Sequence, residues 1–523
     1  MEGGENMKGS YRSWIIFGMN GAFIFLMGGC GSEDKKTATG NEKTLNFVTV
    51  YPANTTDPHR VHTAFILNSG TMETLVGLNP KTLEVFPWLA ENWKTSDTQN
   101  WEFNIRKGVK FHNGKEVTAE AVKASLERSI AVNPGVRAAL KIASIEVVDS
   151  HTLKIKTENP YPSLISGLVH FSSVIIDVNA PEDKPPIGTG AFMFEKFDPS
   201  TGAILVKNLN YWDGMAKLDR VYMTANQDAN ARLLALQSGD ADIIYRPALE
   251  SLGSLRKDSK WVVESVPGTR VYHLIYNYSG ENKDIWNNEE FRKGIDALVD
   301  REGIIKTVMA NEAKIAFNPF PGNYPFSPTP KSHEFGIEAA LKHFEAAGLT
   351  VKDGKVLRNG QPIKLRMATY IARPELPQIA QIVQDSAKQV GIEMEIYVAE
   401  NIDEFLPTGK FDLVTYSLLT ISRGDGAFFL NSAFAPKAAQ NHGRLDVPQL
   451  NELLNEYNHT ADITKRNGLA KQFATILEDQ AYNSYITVPY ETVAYRQGVK
   501  GWVTPGNEFE FQMVTKDLDV VSK

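Results

Sequence analysis

The chain has one cysteine, and its position constrains everything downstream. Cys30 ends an apolar run, residues 14–30 (WIIFGMNGAFIFLMGGC), that stands behind Lys8 and Arg12. A basic start, an apolar stretch and small residues before a cysteine form the pattern of an export signal that ends in a lipid-attachment site. Gly28 and Gly29 admit a signal peptidase, and the thiol at the new N-terminus accepts a diacylglyceryl group. A transmembrane anchor needs roughly 20 apolar residues, and this run has about 14. Met27 takes the place three residues before the cysteine where a lipobox prefers Leu, with Leu26 one further back. Met7 opens a second charged start (MKGSYRSW), so translation begins at Met1 or Met7. The expectation is a signal peptide over residues 1–29, lipidation of Cys30, and a polar, flexible tether over residues 30–43. With Cys30 acylated, no thiol remains for a disulfide or a cysteine metal site. Any transition metal must be held by His, by carboxylates or by ligands that travel with it.

The rest of the chain is long enough for two or three domains with ample core. Aromatic content of 10% and charged content of 22% are those of a water-exposed globular body. A net charge of −7 argues against nucleic acid as a partner. Strand and helix patterns alternate: residues 45–50, residues 101–106 (WEFNIR), a helix capped by Thr118, a strand over residues 147–156, then residues 204–207, a helix over 228–238 and a strand over 242–245. Such alternation predicts α/β layers. Two longer β-rich runs, residues 270–278 (RVYHLIYNY) and 485–495 (YITVPYETVAY), enclose a region with its own alternation, as if a second lobe were inserted in the first.

Several segments together resemble the solute-binding proteins of peptide and nickel ABC importers. They are residues 89–93 (LAENW), 101–114 (WEFNIRKGVKFHNG) and 118–122 (TAEAV), then 186–190 (PIGTG), 210–212 (NYW), 236–242 (LQSGDAD), Phe291-Arg292-Lys293 through Asp300-Arg301, and Ala346-Ala347-Gly348. The match spans nearly the whole mature chain and keeps the family's order. The resemblance implies a two-lobe α/β fold of the periplasmic-binding-protein kind (type II, large form), with an extra subdomain in lobe one and a two-strand hinge. On that reading lobe one covers residues 44–275, with the subdomain at about 85–215, lobe two covers 276–488, and 489–523 return to lobe one. Physically, Gly108, Gly114, Gly188 and Gly190 read as tight turns, and Trp93, Trp101 and Trp212 as core aromatics. These motifs point to the fold and leave the ligand open.

In that family the ligand lies between the lobes, and the candidates are the positions that would line the cleft. His62 follows the Asp57-Pro58-His59 turn, near a place where nickel-type members offer a pocket side chain. His59 and His62 read as one structural and one solvated histidine, and a lone imidazole can still complete a chelate already wrapped round its metal. Arg137 falls where the nickel-type proteins carry a basic and aromatic cluster, and Arg423 falls in the second lobe's cleft loop, beside Gly424-Asp425-Gly426. A guanidinium binds a carboxylate in two-pronged fashion, so this pair is expected to face each other and read ligand carboxylates. Arg246, Tyr416 and Asn431 are further ligand candidates. His442 falls roughly where a metal-touching histidine occurs in some relatives, although a mobile surface histidine is the plainer reading. Residues 168–172 replace the Pro-Arg-Pro element of the best-known nickel binder, and Thr420 and Gly424 replace its loop aromatics.

There is no Gly-x-Ser-x-Gly elbow, no His-Glu-x-x-His and no cysteine nucleophile, so catalysis is not expected. The expected role is that of a monomeric, lipid-anchored importer subunit with no intrinsic cofactor. It would catch nickel or another transition metal as an organic chelate, with a short peptide as the alternative, and deliver it to a permease driven by ATPase subunits. A sensor lipoprotein is the remaining competitor.

Overall fold

Thr44–Thr49 alternates half-buried and buried residues, with Leu45 and Phe47 fully covered, which is the pattern of a strand with one face on a core. The computed structural model describes residues 42–521 apart from 182, 183, 330 and 332. The export segment, Cys30 and most of the tether lie outside the described residues. Lys43, counted with the tether from sequence, already belongs to the body: its N–H donates to Asp219 Oδ2 at 2.8 Å and its Nζ to Asp519.

Thr44–Thr49 runs parallel to Arg220–Ala225 on one side and to Ile243–Tyr245 on the other. Parallel neighbours need crossovers, and the helix Ala229–Ser238 supplies one. Asp228 caps it by accepting from Asn230 N and Ala231 N, and Gly239 ends it at φ 84°. The second half of the molecule repeats the device. Lys364–Tyr370 runs parallel to both Glu393–Ala399 and Leu413–Leu419, and the helix Glu375–Gln389 crosses over with Leu376, Ile379, Ala380, Val383 and Ala387 as its buried stripe.

One strand, Asn483–Arg496, joins these halves into one mixed sheet. Its main path runs Glu393–Ala399, Lys364–Tyr370, Leu413–Leu419, Arg270–Tyr276, Asn483–Arg496, Ile243–Tyr245, Thr44–Thr49, Arg220–Ala225, Gly202–Lys207, Phe192–Asp198. Asn483–Arg496 is 14 residues long and belongs to both halves. Its first residues pair with Arg270–Tyr276 and Ala313–Ile315, and its last with Trp261–Pro267 and Ile243–Tyr245. Of the two β-rich runs of the sequence, Asn483–Arg496 is the strand shared by both halves, while Arg270–Tyr276 pairs with Leu413–Leu419 and the first residues of Asn483–Arg496, inside the second half.

A separate four-stranded antiparallel sheet, Ala90–Thr95, Asn100–Ile105, Thr152–Thr157 and Ile142–Asp149, packs under the helix Ala119–Val132. Thr118 caps that helix through Ala121 N, as the sequence predicts. The single strand expected over residues 147–156 is instead a hairpin. Asp149 Oδ1 accepts from His151 N at 2.8 Å and turns the chain between Ile142–Asp149 and Thr152–Thr157. Trp101 is buried in this core, while Trp93 and Trp212 are half-buried against it. No helix of the described residues is long and apolar enough to cross a membrane.

Candidate functional site

The halves meet over a segment that returns from the far end of the chain. Asn507 Oδ1 accepts from Phe509 N and Glu510 N, and its Nδ2 donates to Thr269 Oγ1, so the turn is pinned just before the strand Arg270–Tyr276. Glu508 and Glu510, two residues apart, are thereby presented to arginines from both halves. Glu508 Oε2 accepts from Arg246 Nη2 at 2.9 Å, and its Oε1 lies 3.5 Å from Arg270 Nη2 and 3.4 Å from Arg373 Nη2. Burial alone would raise the Glu508 pKa, but these three guanidinium groups outweigh it and hold the carboxyl well below the usual range.

Arg246 also grips Glu491 in two-pronged fashion, Nε to Oε2 at 2.8 Å and Nη2 to Oε1 at 2.6 Å, and Tyr245 Oη donates to the same carboxylate. Arg246 reaches that geometry from left-handed backbone, φ 50°. Such a conformation costs a non-glycine residue about 1–3 kcal/mol and is usually kept where function uses it.

Beyond Glu508 the matching stops. Arg423, from the loop after Leu413–Leu419, is 7% exposed and makes no hydrogen bond among the described residues. Its guanidinium carbon lies 4.2 Å from the Phe428 ring centroid, and its Nε is 3.9 Å from Glu510 Oε1. The rest of the loop is closed onto the first half. Asp425 Oδ2 accepts from Ser166 Oγ at 2.7 Å and from Arg466 Nη1 at 3.2 Å, while Arg466 Nη2 donates to Ser163. A Cβ on Gly424, at φ 79°, would lie 2.4 Å from the Leu83 carbonyl oxygen, so glycine there serves the contact between halves.

Two cavities open beside the cluster. One of about 780 Å³ is lined by Tyr51, Arg246, Arg270, Tyr272, Arg373 and Glu491 among others. The other, about 200 Å³, is lined by Tyr51, His62, Tyr245, Arg373, Glu508 and Phe509 among others. Val50, Tyr51 and Arg373 line both.

Of the residues singled out from sequence, Arg246 and Arg423 reach this seam, and His62 is exposed on the wall of the smaller cavity. His59 is fully buried, with Nε2 3.0 Å from the Val174 carbonyl oxygen and Arg128 beside its Nδ1, so it holds the turn rather than a ligand. Arg137 does not face Arg423. In the helix Pro134–Leu140 the buried residues are Val136 and Leu140, one turn apart, and Arg137 lies off that stripe in solvent. Asn431 is committed to a reciprocal amide pair with Asn458, at 2.9 and 2.8 Å.

Tyr416 is buried, donates to Asp403 Oδ1 and packs against Tyr370 and His442. His442 is half-buried rather than on a mobile surface. Burial lowers its pKa, its Nε2 lacks a hydrogen bond, and it shares a cavity of about 10 Å³ with His273. Among the described residues no group of three or more His, Cys, Asp or Glu side chains is placed to hold a metal ion.

Arg270, Arg373, Glu491, Glu508 and Glu510 escaped the sequence reading. Arg270 was visible only as the first residue of a β-rich run. The alternation in residues 507–511 (NEFEF) is the one local signal that two carboxylates share a side.

Residues 84–441 match the family described as Bacterial extracellular solute-binding proteins, family 5 Middle. The structure of a nickel ABC transporter protein from Bacillus halodurans is similar, with a TM-score of 0.81 at 38% identity, covering 92% of this chain and 100% of that one. The nickel-binding protein NikA of Staphylococcus aureus is 30% identical over 486 residues, 92% of this chain and 95% of the relative. A crystal structure of Staphylococcus aureus NikA in complex with Ni(L-His)2 has a TM-score of 0.76 at 29% identity, covering 92% and 100%. The fold is similar to that of these proteins over nearly their whole length, and the chain belongs to the family 5 bacterial extracellular solute-binding proteins.

Proposed function

We propose that the protein is the solute-capturing subunit of an ABC importer and that it takes nickel, or another transition metal, as an organic chelate held between its halves and passed to the permease. The observation that carries this reading is Arg423, a buried guanidinium with no hydrogen bond at the point where the halves meet. A buried polar group left unmatched costs about 1–3 kcal/mol, and more when charged, so the site is built to receive an anion. Carboxylates of a chelator meet that need. The absence of a three-ligand cluster among the described residues favours a metal that arrives already wrapped over a bare ion. Nickel is favoured by the two relatives named for it.

Calorimetry tests the reading directly: nickel with excess L-histidine should give saturable binding, and nickel alone should not. Metal-free binding of a dipeptide, with no response to the nickel complex, would overturn it in favour of peptide capture. Attachment to the membrane through a lipid on Cys30 belongs to the same proposal. Labelled palmitate should be incorporated by the wild type and lost in Cys30→Ala, and unchanged labelling would refute the anchor.

A further inference from the structure

Arg423 and Glu510 face each other across the seam, one from the second-half loop and the other from the returning segment, with 3.9 Å between Nε and Oε1. Both are more than nine-tenths buried, at 7% and 5% exposure. Arg423 Nε and Glu510 Oε2 each lack a hydrogen-bond partner among the described residues. Two residues away, Glu508 is gripped by three arginines, so the mismatch is local to this pair. On the first-half side, burial followed by the nearness of Arg423 holds the His170 ring well below its ordinary pKa, in its neutral form.

We propose that Glu510 is a ligand-contacting, specificity-determining residue: with Arg423 it selects solutes that present an amino-acid unit, a carboxylate for the guanidinium beside an N–H donor for the carboxyl, and it rejects solutes that present carboxylates alone. This rests on the reading of Arg423 as the anchor for ligand carboxylates. An α-amino acid carries both functions on neighbouring atoms, the compactness that a pair 3.9 Å apart demands, whether it is free, at a peptide terminus or wrapped round a metal. Citrate would satisfy Arg423 but bring no N–H donor, leaving the Glu510 carboxyl uncharged and its Oε2 unmatched in a dry, weakly screened place. Burial, with Glu508 adding to it, pushes the Glu510 carboxyl up to about 8 against the pull of Arg423 and Arg270. An N–H donor on the solute is what restores its charged form.

The test compares four probes by calorimetry on the full chain: nickel with L-histidine, nickel with citrate, dialanine and N-acetyl-dialanine. The wild type should prefer the histidine complex over the citrate complex by at least tenfold. Glu510→Gln should shrink that preference at least tenfold with the melting point unchanged, and Glu510→Asp, which keeps the charge, should retain it. An unchanged preference in Glu510→Gln, or a wild type that takes the citrate complex as tightly as the histidine complex, overturns the proposal. If the wild type binds dialanine and no nickel complex, the metal reading falls and Glu510 is judged on the dipeptide pair. Intolerance of N-acetylation that Glu510→Gln relieves supports the role, and equal binding of both peptides overturns it. Binding of none of the four overturns both readings.

Discussion

Glu73 and Glu510 are both buried carboxyl groups, and their surroundings are opposite. Glu73, fully buried, accepts from Thr189 Oγ1 at 2.6 Å, Tyr211 Oη at 2.7 Å and Trp212 Nε1 at 3.1 and 3.2 Å. Those donors belong to the Pro-Ile-Gly-Thr-Gly and Asn-Tyr-Trp motifs that mark the family in this sequence, so two distant motifs are one hydrogen-bonded node. Gly188 and Gly190 serve it by close approach rather than as turns: a Cβ on either would lie 2.2–2.3 Å from the carbonyl oxygens of Thr71 and Gly70. Glu510 has one free oxygen and a guanidinium just out of hydrogen-bond reach. A carboxyl that serves the fold is ringed with donors, and one that serves a ligand keeps an acceptor uncommitted.

The harshest way to break this contrast is Glu73→Met, which leaves the Thr189, Tyr211 and Trp212 donors buried and unmatched. Unfolding free energy should drop by about 3–5 kcal/mol, read from urea melts, with binding by the surviving folded fraction unchanged. A loss below about 1 kcal/mol would show that the node is ornamental to stability. At the other pole, Arg423→Ala should cost about 2–5 kcal/mol of binding to the nickel–histidine complex, because the ion pair it forms there is desolvated. The melting point should fall modestly, because the Phe428 contact and the charge facing Glu510 are lost, so affinity is compared at a temperature where both proteins are folded. Lys at 423 should recover only part of the affinity, lacking the two-pronged fork.

Proton linkage sharpens the comparison further. Burial raises the Glu73 pKa from 4.5 to about 7, with the Thr189, Tyr211 and Trp212 donors pulling back. Between those values the folded protein holds a proton that the unfolded chain has released. The contribution of Glu73 to stability therefore falls as pH rises from about 4.5 to about 7, by a total on the order of 3 kcal/mol. Subtracting the Glu73→Gln melting series from that of the wild type should isolate this slope, and parallel curves would show that the carboxyl titrates normally. The smallest effect belongs to Ser166→Ala, which removes one contact to Asp425 across the seam. It should weaken closure by about 1 kcal/mol, visible in solution scattering as a slightly larger radius of gyration. An unchanged profile would mean that the Arg466 bond to Ser163 holds this part of the seam without Ser166.

Local patterns carried much of the fold into the sequence. The Thr118 cap, the Asp228 to Gly239 helix and the strands Arg270–Tyr276 and Asn483–Arg496 follow from capping chemistry and β-rich runs that need no distant partner. The hairpin at Asp149 was missed because an Asx turn inside a β-rich run leaves the apolar pattern unbroken. Arg137 was misjudged because motif neighbourhood says nothing of helical phase, which Val136 and Leu140 set. Most of the seam was beyond reach for a different reason. Its ion pairs join residues 238 and 262 positions apart, and no property of residues 507–511 announces which arginines they will meet.

That separation has a consequence for how the protein comes into being. The segment from Asn507 is made after every arginine that it meets. Without it, Arg246, Arg270 and Arg373 would repel one another, with Glu491 offsetting Arg246. Contacts of such long range are late events in folding, since the loops they close are long. Capture of solute is then a certificate of completed synthesis: a chain halted before Asn507 can own most of its strands and still have no finished cleft to offer a permease.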